Sequence, residues 1–185
     1  MASSRLSSVS VYCASSPGLD PAFATAAAAV GRLLAERSVR LIYGGGHVGL
    51  MGILADAVLE HGGEVHGVIT RALERKEIAH AGLTTLEVVE TMHERKALMA
   101  DAADAFVMLP GGFGTWEEFL EALTWTQLGV HLKPCGVLNV AGFFDPLIAL
   151  IDQATKQRFV RREHRDLFGD RFRSVDAPRP AGRVG

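Results

Sequence analysis

The sequence has no long apolar run and few cysteines. No apolar stretch reaches the roughly 18 residues that a membrane-spanning helix needs, so we expect none. The two cysteines, Cys13 and Cys135, each lie in an apolar, strand-like segment. That setting favours buried reduced thiols over a disulfide or a nucleophile. Neither a C-x-x-C nor an H-E-x-x-H motif occurs, and we therefore predict no metal site.

Excess charge of either sign is also lacking. The formal net charge is −2, and no block of lysines and arginines occurs. We therefore expect neither nucleic acid nor a membrane surface as a partner, and an anionic ligand would have to be held by a local site. The first eight residues contain one arginine and no apolar core, unlike a signal peptide, and we expect a cytoplasmic protein.

What remains is the composition of a globular domain. Hydrophobic residues make up 48% of the 185-residue chain and charged residues 22%. A chain of this length can bury a substantial core, so we predict a single domain over residues 1–185. Its end, residues 174–185, combines prolines and glycines with little hydrophobic content, which predicts a loose tail.

Six apolar segments alternate with helical ones along the chain. The apolar runs are continuous, which is typical of parallel strands covered on both faces. We therefore predict an α/β, Rossmann-like doubly wound fold, with a mostly parallel sheet and helices on both faces. The predicted strands are 9–13, 39–43, 65–69, 84–89, 105–109 and 134–140. The loops that follow strands should share one rim, where such sheets bind ligands.

Three helix starts carry recognisable capping residues. Asp20-Pro21 and Asp145-Pro146 each place an aspartate at the N-cap and a proline at the first helical position. Thr91 is followed three residues later by Glu94, which has the form of a capping box. Further helices are predicted over residues 49–61 and 116–128.

The most informative stretch runs from Pro110 to Glu118, between a predicted strand and a predicted helix. Its three glycines let backbone N–H groups approach an anion, and the helix N-terminus adds its positive dipole end. Glu118 would then be a catalytic carboxylate beside a bound phosphate. The alternative is a plain turn followed by a capping box from Thr115 to Glu118, and a capping box would also fix the carboxylate. Glu117, on another face, is predicted to be solvated.

An earlier glycine stretch satisfies G-x-G-x-x-G through Gly44, Gly46 and Gly49. A dinucleotide site would also want an acidic residue at the end of the next strand, whereas Glu64 stands at its beginning. We favour a second wall of a nucleotide pocket, with Gly45 and Gly46 as candidate contacts. A tight turn with close helix packing is the alternative. The Ser15-Ser16 loop should lie on the same rim.

The segment Met92-His93-Glu94-Arg95-Lys96 predicts a functional arginine. On a helix, Arg95 shares a face with Met92 and Met99. A guanidinium against an apolar face usually has a carboxylate or phosphate partner. The alternative is a structural ion pair with Glu94 or Asp101. Lys96 by itself is predicted to be solvated. The histidines at positions 47, 93 and 131 are isolated and are predicted to have no catalytic role.

Together these residues resemble the LOG ("lonely guy") family of cytokinin riboside 5′-monophosphate phosphoribohydrolases, often called lysine decarboxylase-like. The likeness extends from Val11 to about Val160. Its two signatures, P-G-G-x-G-T-x-x-E and M-H-E-R-K, occur intact at residues 110–118 and 92–96. Shorter matches are Tyr43-Gly44-Gly45-Gly46, Gly49-Leu50-Met51-Gly52, Leu123-Thr124-Trp125 and Gln127-Leu128-Gly129.

The resemblance implies hydrolysis of the N-glycosidic bond of an N6-modified AMP, to free base and ribose 5-phosphate, by a cofactor-free homodimer. By position in the motifs, Arg95 and Glu118 carry catalysis. The implied substrate contacts are Glu77, Lys96, Gly111, Gly112, Phe113, Gly114, Thr115, Trp116, Glu117 and Thr124. A general AMP nucleosidase and a non-catalytic nucleotide-binding protein are the alternatives. A decarboxylase is disfavoured, because no pattern supports a Schiff-base lysine for pyridoxal phosphate.

The chain departs from the family pattern at four positions. Ala14 and Arg158 stand where the family usually has glycine, Thr70 where it has proline, and Trp116 where it has leucine. None of the four is Arg95 or Glu118. Thr70 and Trp116 could reshape the base pocket, which leaves the identity of the N6 substituent open.

Overall fold

Six parallel strands form the sheet at the centre of the fold, in a computed structural model that describes residues 6–76 and 78–168. The strands are β1 (Ser8–Tyr12), β2 (Arg40–Tyr43), β3 (Val65–Thr70), β4 (Thr85–Val89), β5 (Ala105–Met108) and β6 (Cys135–Val137). Their order is β4-β3-β2-β1-β5-β6, and every neighbouring pair is parallel. The predicted Rossmann-like fold is thereby confirmed. The predicted last strand was too long, because a 3-10 turn forms at Val140–Gly142.

Helices cover both faces of the sheet. They are α1 (Pro21–Glu36), α2 (Gly49–Glu60), α3 (Arg71–Glu74), α4 (Met92–Ala102), α5 (Phe113–Gln127), α6 (Asp145–Lys156) and α7 (Arg162–Arg165). One core cluster joins α1 and α2 to the sheet, and a second joins α4, α5 and α6 to its other face. Neighbouring β1 residues divide between them: Val11 lies in the first cluster and Tyr12 in the second. The inner strands β1, β2, β3 and β5 therefore have two apolar faces, which explains their continuous apolar runs, whereas the edge strand β4 is exposed at alternate positions.

The chain order reverses at β1, which is hydrogen-bonded to β2 on one side and to β5 on the other. In doubly wound sheets a crevice opens at such a point, outside the carboxyl ends of the strands. The loop after β1 and the loop after β5 flank it here, and the Ala14 N–H donates to the Pro110 carbonyl at 3.2 Å. The expectation that these loops share a rim is confirmed.

All three helices begin where they were predicted, and two of the three predicted capping arrangements are confirmed. Asp20 caps α1 by accepting the Ala22 N–H at 2.8 Å, and Thr91 and Glu94 form a reciprocal capping box on α4. The predicted capping role of Asp145 was wrong. Phe144 is the N-cap of α6, and Asp145 is its first helical residue, with its carboxylate accepting from the Asn139 side-chain amide at 2.7 Å.

Both cysteines are free and buried, as predicted, and burial raises the pKa of each thiol. None of the described helices is long and apolar enough to cross a membrane. Within the described residues no three potential metal ligands come together. The predicted loose tail lies outside the residues that the structure describes.

Arg158 follows the end of α6 in the left-handed backbone region, with φ +64°. A side chain is strained in this region, and glycine is not. We expect Arg158→Gly to raise the free energy of unfolding in urea by about 0.5–1 kcal/mol, since part of the relief is offset by the freer unfolded chain. Gly129 holds the same place after α5, with φ +74°, and a Cβ added there would have no atom within 4 Å. Gly129→Ala should therefore lower the free energy of unfolding through backbone strain alone. An unchanged or lowered value for Arg158→Gly would contradict this explanation.

Asp104 holds the beginning of the central strand β1. Its carboxylate accepts from the backbone N–H and hydroxyl groups of Ser7 and Ser8, with the Ser7 hydroxyl at 2.6 Å. These hydrogen bonds, led by that of the Ser7 hydroxyl, lower the pKa of Asp104 to about 2. We expect Asp104→Asn to lower the free energy of unfolding at pH 7 by about 1 kcal/mol, allowing for the solvent exposure of the carboxylate.

The sign of the pH dependence follows from this lowered pKa. The stabilisation is fully present above the usual carboxyl pKa of 3.8 and is lost as the pH falls through about 2. Urea denaturation at several pH values should therefore show the difference between wild type and Asp104→Asn shrinking below about pH 4. A difference that stays constant down to pH 2 would show that the charge of Asp104 is not what stabilises β1.

Candidate active site

Arg95 is buried on the sheet-facing side of α4. Its Nε donates to the Val68 carbonyl at 2.9 Å, and Nη1 lies 3.4 Å from the Met92 sulfur. Nη1 also forms an ion pair with Oε1 of Glu118, and both side chains are largely shielded from water. The prediction of a carboxylate partner is confirmed, whereas the alternative partners are not used. Glu94 instead accepts backbone N–H groups in the capping box.

The loop after β2, residues 44–47, lies directly against this arginine. A Cβ atom at Gly44 would stand 2.0 Å from the Arg95 Nη2 atom, so only glycine permits the observed approach. Gly45 has φ +75°, which also favours glycine. The glycine stretch is thus placed against the candidate catalytic residue. The alternative prediction for this glycine stretch, a tight turn with close packing, is also confirmed. A Cβ at Gly49 would come within 2.2 Å of the Ser15–Ser16 backbone.

Glu118 is positioned by Arg95 rather than by a capping box. Helix α5 begins at Phe113, and Gly112, which has no side chain, is its N-cap, so the predicted box from Thr115 to Glu118 was wrong. Thr115 is buried instead against Gly111, where a Cβ would lie 2.1 Å from its hydroxyl oxygen. Glu118 therefore lies in the second turn of α5, where its charge meets that of a guanidinium.

The negative charge of Glu118 also affects the pKa values of two buried groups near it. Burial raises the pKa of the Tyr12 hydroxyl and of the Cys13 thiol, and the negative charge of Glu118 adds to both shifts. Tyr12 is the last residue of β1, the strand beside the crevice, and Cys13 follows it. They stay protonated near neutral pH, so they cannot act as bases toward a ligand at this rim.

Lys96 was wrongly predicted to be solvated. Its side chain is only 8% exposed, and its ammonium forms ion pairs with Glu117 and with Glu121, the latter at 3.0 Å. Desolvation lowers the pKa of Lys96, but the hydrogen bonds with Glu117 and Glu121 outweigh it, and the net pKa is raised. The adjacent residues Arg95 and Lys96 therefore each reach a carboxylate on α5.

Glu117 and Glu121 bind the same ammonium from successive turns of α5. The prediction that Glu117 is solvated was half wrong, since its side chain is 54% exposed yet paired. Glu121 was missed altogether. Its spacing of four residues from Glu117 puts the two carboxylates on one helix face, and that spacing could have identified it. Thr124 continues this face, exposed, with its hydroxyl donating to the Leu120 carbonyl at 2.7 Å.

A cavity of about 200 Å³ opens between the loops after β1 and β5. Ser16, Gly111 and Gly112 lie in its wall, with Phe23 and Phe143 forming an apolar side. Ser15 is exposed beside it. Neither Arg95 nor Glu118 is among the described residues that line this cavity. The predicted contacts therefore divide between the cavity wall and the charged residues on α4 and α5.

The remaining candidates lie around the start of α5. Phe113 is 86% exposed and meets Trp116 edge to face, with ring centroids 5.4 Å apart. The Trp116 indole N–H is buried, and no described residue accepts it. Gly114 has open space around it, so its backbone is accessible. Glu77 lies outside the residues that the structure describes.

This arrangement suits a ligand that carries a phosphate group and develops positive charge at another atom when it reacts. The 15-residue helix α5 begins at a glycine loop, and its first N–H groups are free to bind an anion. One turn further on, Glu118 is held by Arg95 and can face a developing cation.

Comparison with known proteins identifies the family. A family model described as "Possible lysine decarboxylase" matches residues 51–178. The cytokinin riboside 5′-monophosphate phosphoribohydrolase of Rhodococcoides fascians is 49% identical over 154 residues, which is 83% of this chain and 78% of that protein. A probable enzyme of the same name from Oryza sativa subsp. japonica is 47% identical over 163 residues, 88% of this chain and 73% of that protein. One from Arabidopsis thaliana is 47% identical over 157 residues, with shares of 85% and 74%.

Solved structures support the fold. A molybdenum cofactor binding protein from Rippkaea orientalis superposes with a TM-score of 0.64 at 20% identity, covering 82% of this chain and 87% of that one. The molybdenum cofactor carrier protein of Chlamydomonas reinhardtii gives 0.62 at 19% identity, covering 81% and 87%. These likenesses are of architecture alone. The intact motifs and the extent of identity to the phosphoribohydrolases show that this chain belongs to the LOG family.

Proposed function

We propose that this protein hydrolyses the N-glycosidic bond of an N6-modified AMP, a cytokinin riboside 5′-monophosphate, to the free base and ribose 5-phosphate. The observation that carries the proposal is the buried ion pair between Arg95 and Glu118 beside a glycine-lined helix start. It is supported by the name of relatives that are 47–49% identical over most of the chain.

The reaction breaks the bond between C1′ of the ribose and N9 of the adenine. The electron pair leaves with the base, which takes up a proton from solvent, and C1′ passes through an oxocarbenium-like state before water adds to it. The attacking water loses one proton in turn, so that one water is consumed overall. Glu118 would stabilise this cation and orient the water, whose proton it accepts. One preorganised group of this kind lowers the barrier by about 3–4 kcal/mol. Arg95 would hold and orient Glu118 and donate hydrogen bonds.

The substrate phosphate would bind at the start of α5. Backbone N–H groups from Gly112 to Thr115 are unused by the helix, and the helix dipole favours an anion there. Ser15, Ser16, Gly45 and Gly46 would line the pocket from neighbouring loops, and Glu77, Phe113, Trp116 and Thr124 would complete it. Lys96 would keep Glu117 and Glu121 in place beside the ribose.

One assay distinguishes the proposed function from two alternatives. A general AMP nucleosidase would release ribose 5-phosphate from AMP as well as from isopentenyl-AMP. A nucleotide-binding protein without catalysis would bind both tightly and release nothing. We expect release from isopentenyl-AMP, measured as ribose 5-phosphate, to exceed release from AMP. Equal release would favour the general nucleosidase, and tight binding without release would overturn the hydrolase.

A decarboxylase fits the geometry poorly. A lysine that forms a Schiff base must be available as a neutral amine. Lys96 is the buried lysine of this site, and its two carboxylate partners raise its pKa. Its ammonium form is thereby stabilised, which opposes attack on an aldehyde.

We further propose that the active protein is a single-domain homodimer in the cytoplasm. Helix α5 and the loop after it expose a series of large apolar side chains, namely Phe113, Leu120, Leu128, Val130 and Leu132. Such a patch beside the site favours a second copy as its partner. The two buried free thiols suit a reducing compartment. Light scattering should give twice the 19.8 kDa chain mass, and a monomeric active protein would contradict the dimer.

A further inference from the structure

A short segment after α3, residues 78–82, is bound to the loop after β2; we call it the strap. The loop itself contains three glycines, so few of its own side chains fix its conformation. From the core, the buried Tyr43 hydroxyl donates to the Gly46 carbonyl at 3.1 Å. Two backbone hydrogen bonds join the strap to the loop: the His80 N–H donates to the Gly45 carbonyl at 2.9 Å, and the His47 N–H donates to the Ile78 carbonyl at 2.9 Å. Together they form an antiparallel bridge between Gly46 and Ala79.

The strap is anchored in turn by the His80 side chain. Its Nε2 lies 2.9 Å from Oδ1 of Asp56, which belongs to α2, and the Gly82 N–H donates to its Nδ1 at 3.0 Å. Since Nδ1 accepts a hydrogen bond, the hydrogen of the neutral ring is on Nε2 and is donated to Asp56. The His80 side chain is only 12% exposed, whereas the Asp56 carboxylate that accepts from it lies at the surface, with 58% of its side chain exposed.

This anchoring reaches the candidate active site through the backbone. His80 holds the strap, the strap holds Gly45 and Gly46, and Gly44 at the start of the loop touches Arg95. Arg95 has two further supports of its own, the Val68 carbonyl and Glu118. A loosened strap would therefore disturb the wall formed by the loop more than it would disturb Arg95.

We propose that His80 and Asp56 are positioning residues that hold the loop after β2 as a wall of the nucleotide pocket. This inference rests on the proposed function, in which Gly45 and Gly46 line that pocket. The pair acts on binding without contacting the substrate. Its loss raises KM and leaves the chemical step at Glu118 largely intact.

The test compares His80→Ala, His80→Gln and His61→Ala by steady-state release of ribose 5-phosphate from isopentenyl-AMP. His61, at the end of α2, is a matched control, since among the described residues its Nδ1 is bonded to the Ala57 carbonyl of its own helix alone, at 2.8 Å. His80→Ala should raise KM about tenfold, as expected for losing a hydrogen bond to a charged partner, with kcat within about twofold. His80→Gln, whose amide can still donate to Asp56, should stay within about threefold of wild type. His61→Ala should match wild type.

A merely structural role would give a different result. It would reduce the fraction of folded enzyme, lowering apparent kcat with KM unchanged, and that outcome would overturn the inference, as would an unchanged KM in His80→Ala. Asp56→Ala should reproduce His80→Ala, and the double variant should add little further, because the two act as one unit.

A second measurement does not depend on turnover. Hydrogen–deuterium exchange at the His47 amide, which donates to the strap, should be faster in His80→Ala than in wild type or His61→Ala. Unchanged exchange would overturn the inference even in an active enzyme. A wild-type protein that releases no ribose 5-phosphate while His80→Ala exchanges faster would instead count against the proposed function and leave the anchoring role standing.

Discussion

Replacing Glu118 with glutamine is expected to lower kcat for isopentenyl-AMP by about 100- to 1,000-fold, the usual effect of removing one preorganised electrostatic group. The substitution keeps the shape of the side chain but removes the charge that would face the oxocarbenium-like state. Glutamine can still accept a hydrogen bond from Arg95, so the contact between α4 and α5 should be largely kept. The measurement is ribose 5-phosphate release, with circular dichroism to verify folding.

Glu117→Gln is the matched control for this prediction. Glu117 lies on the neighbouring position of α5 and is also paired with a cation, but Lys96 retains Glu121 when the charge of Glu117 is removed. Its kcat should fall by less than about tenfold, since an exposed pair contributes little. If Glu118→Gln kept normal activity, or if both variants lost activity equally, Glu118 could not be the residue that stabilises the transition state.

Replacing Gly44 with alanine is expected to impair catalysis at least about tenfold by displacing Arg95, without direct contact with Glu118. The new Cβ would lie 2.0 Å from the Arg95 Nη2 atom, far closer than non-bonded heavy atoms can approach. The clashing atom is the end of a flexible side chain, so the fold should survive while the guanidinium moves. Thermal unfolding should change modestly compared with the loss in kcat/KM.

A double-mutant cycle makes this prediction specific. Arg95→Ala should lower kcat/KM strongly by itself, because it leaves the buried Glu118 without its partner. Adding Gly44→Ala to Arg95→Ala should lower kcat/KM little further, since the atom that the new methyl group would strike has gone. Additive effects of the two changes would show that Gly44 acts independently of Arg95, and the steric explanation would be wrong.

Local sequence patterns predicted the fold well because they depend on neighbouring residues. Continuous apolar runs required a sheet covered on both faces, and the capping residues Asp20, Thr91 and Glu94 fixed two helix starts. Such reasoning failed at the start of α5. Thr115 and Glu118 have the spacing of a capping box, but the glycine at position 112 starts the helix earlier. A buried site for Thr115 against Gly111 then overrides the local pattern.

The candidate site was predicted in part. The apolar neighbours of Arg95 on one helix face indicated a partner, but only the packing of α4 against α5 identified it as Glu118. Lys96 was misjudged because the residues around it in the sequence do not report burial. Glu121 was missed because its spacing of four residues from Glu117 shows a shared helix face but not the Lys96 ammonium on another helix. His80 gave no sequence signal, since its anchoring partner Asp56 lies on α2.

By itself the sequence determined the class of fold, the glycine loop at Pro110–Gly114 and the family, because each depends on residues that are adjacent or regularly spaced. The tertiary structure decided which charged residues pair with each other. It paired Arg95 with Glu118, and it placed Gly44 against the guanidinium. A charge is tolerated in a core only where another element brings its partner, and that meeting depends on how helices pack rather than on any spacing within one of them.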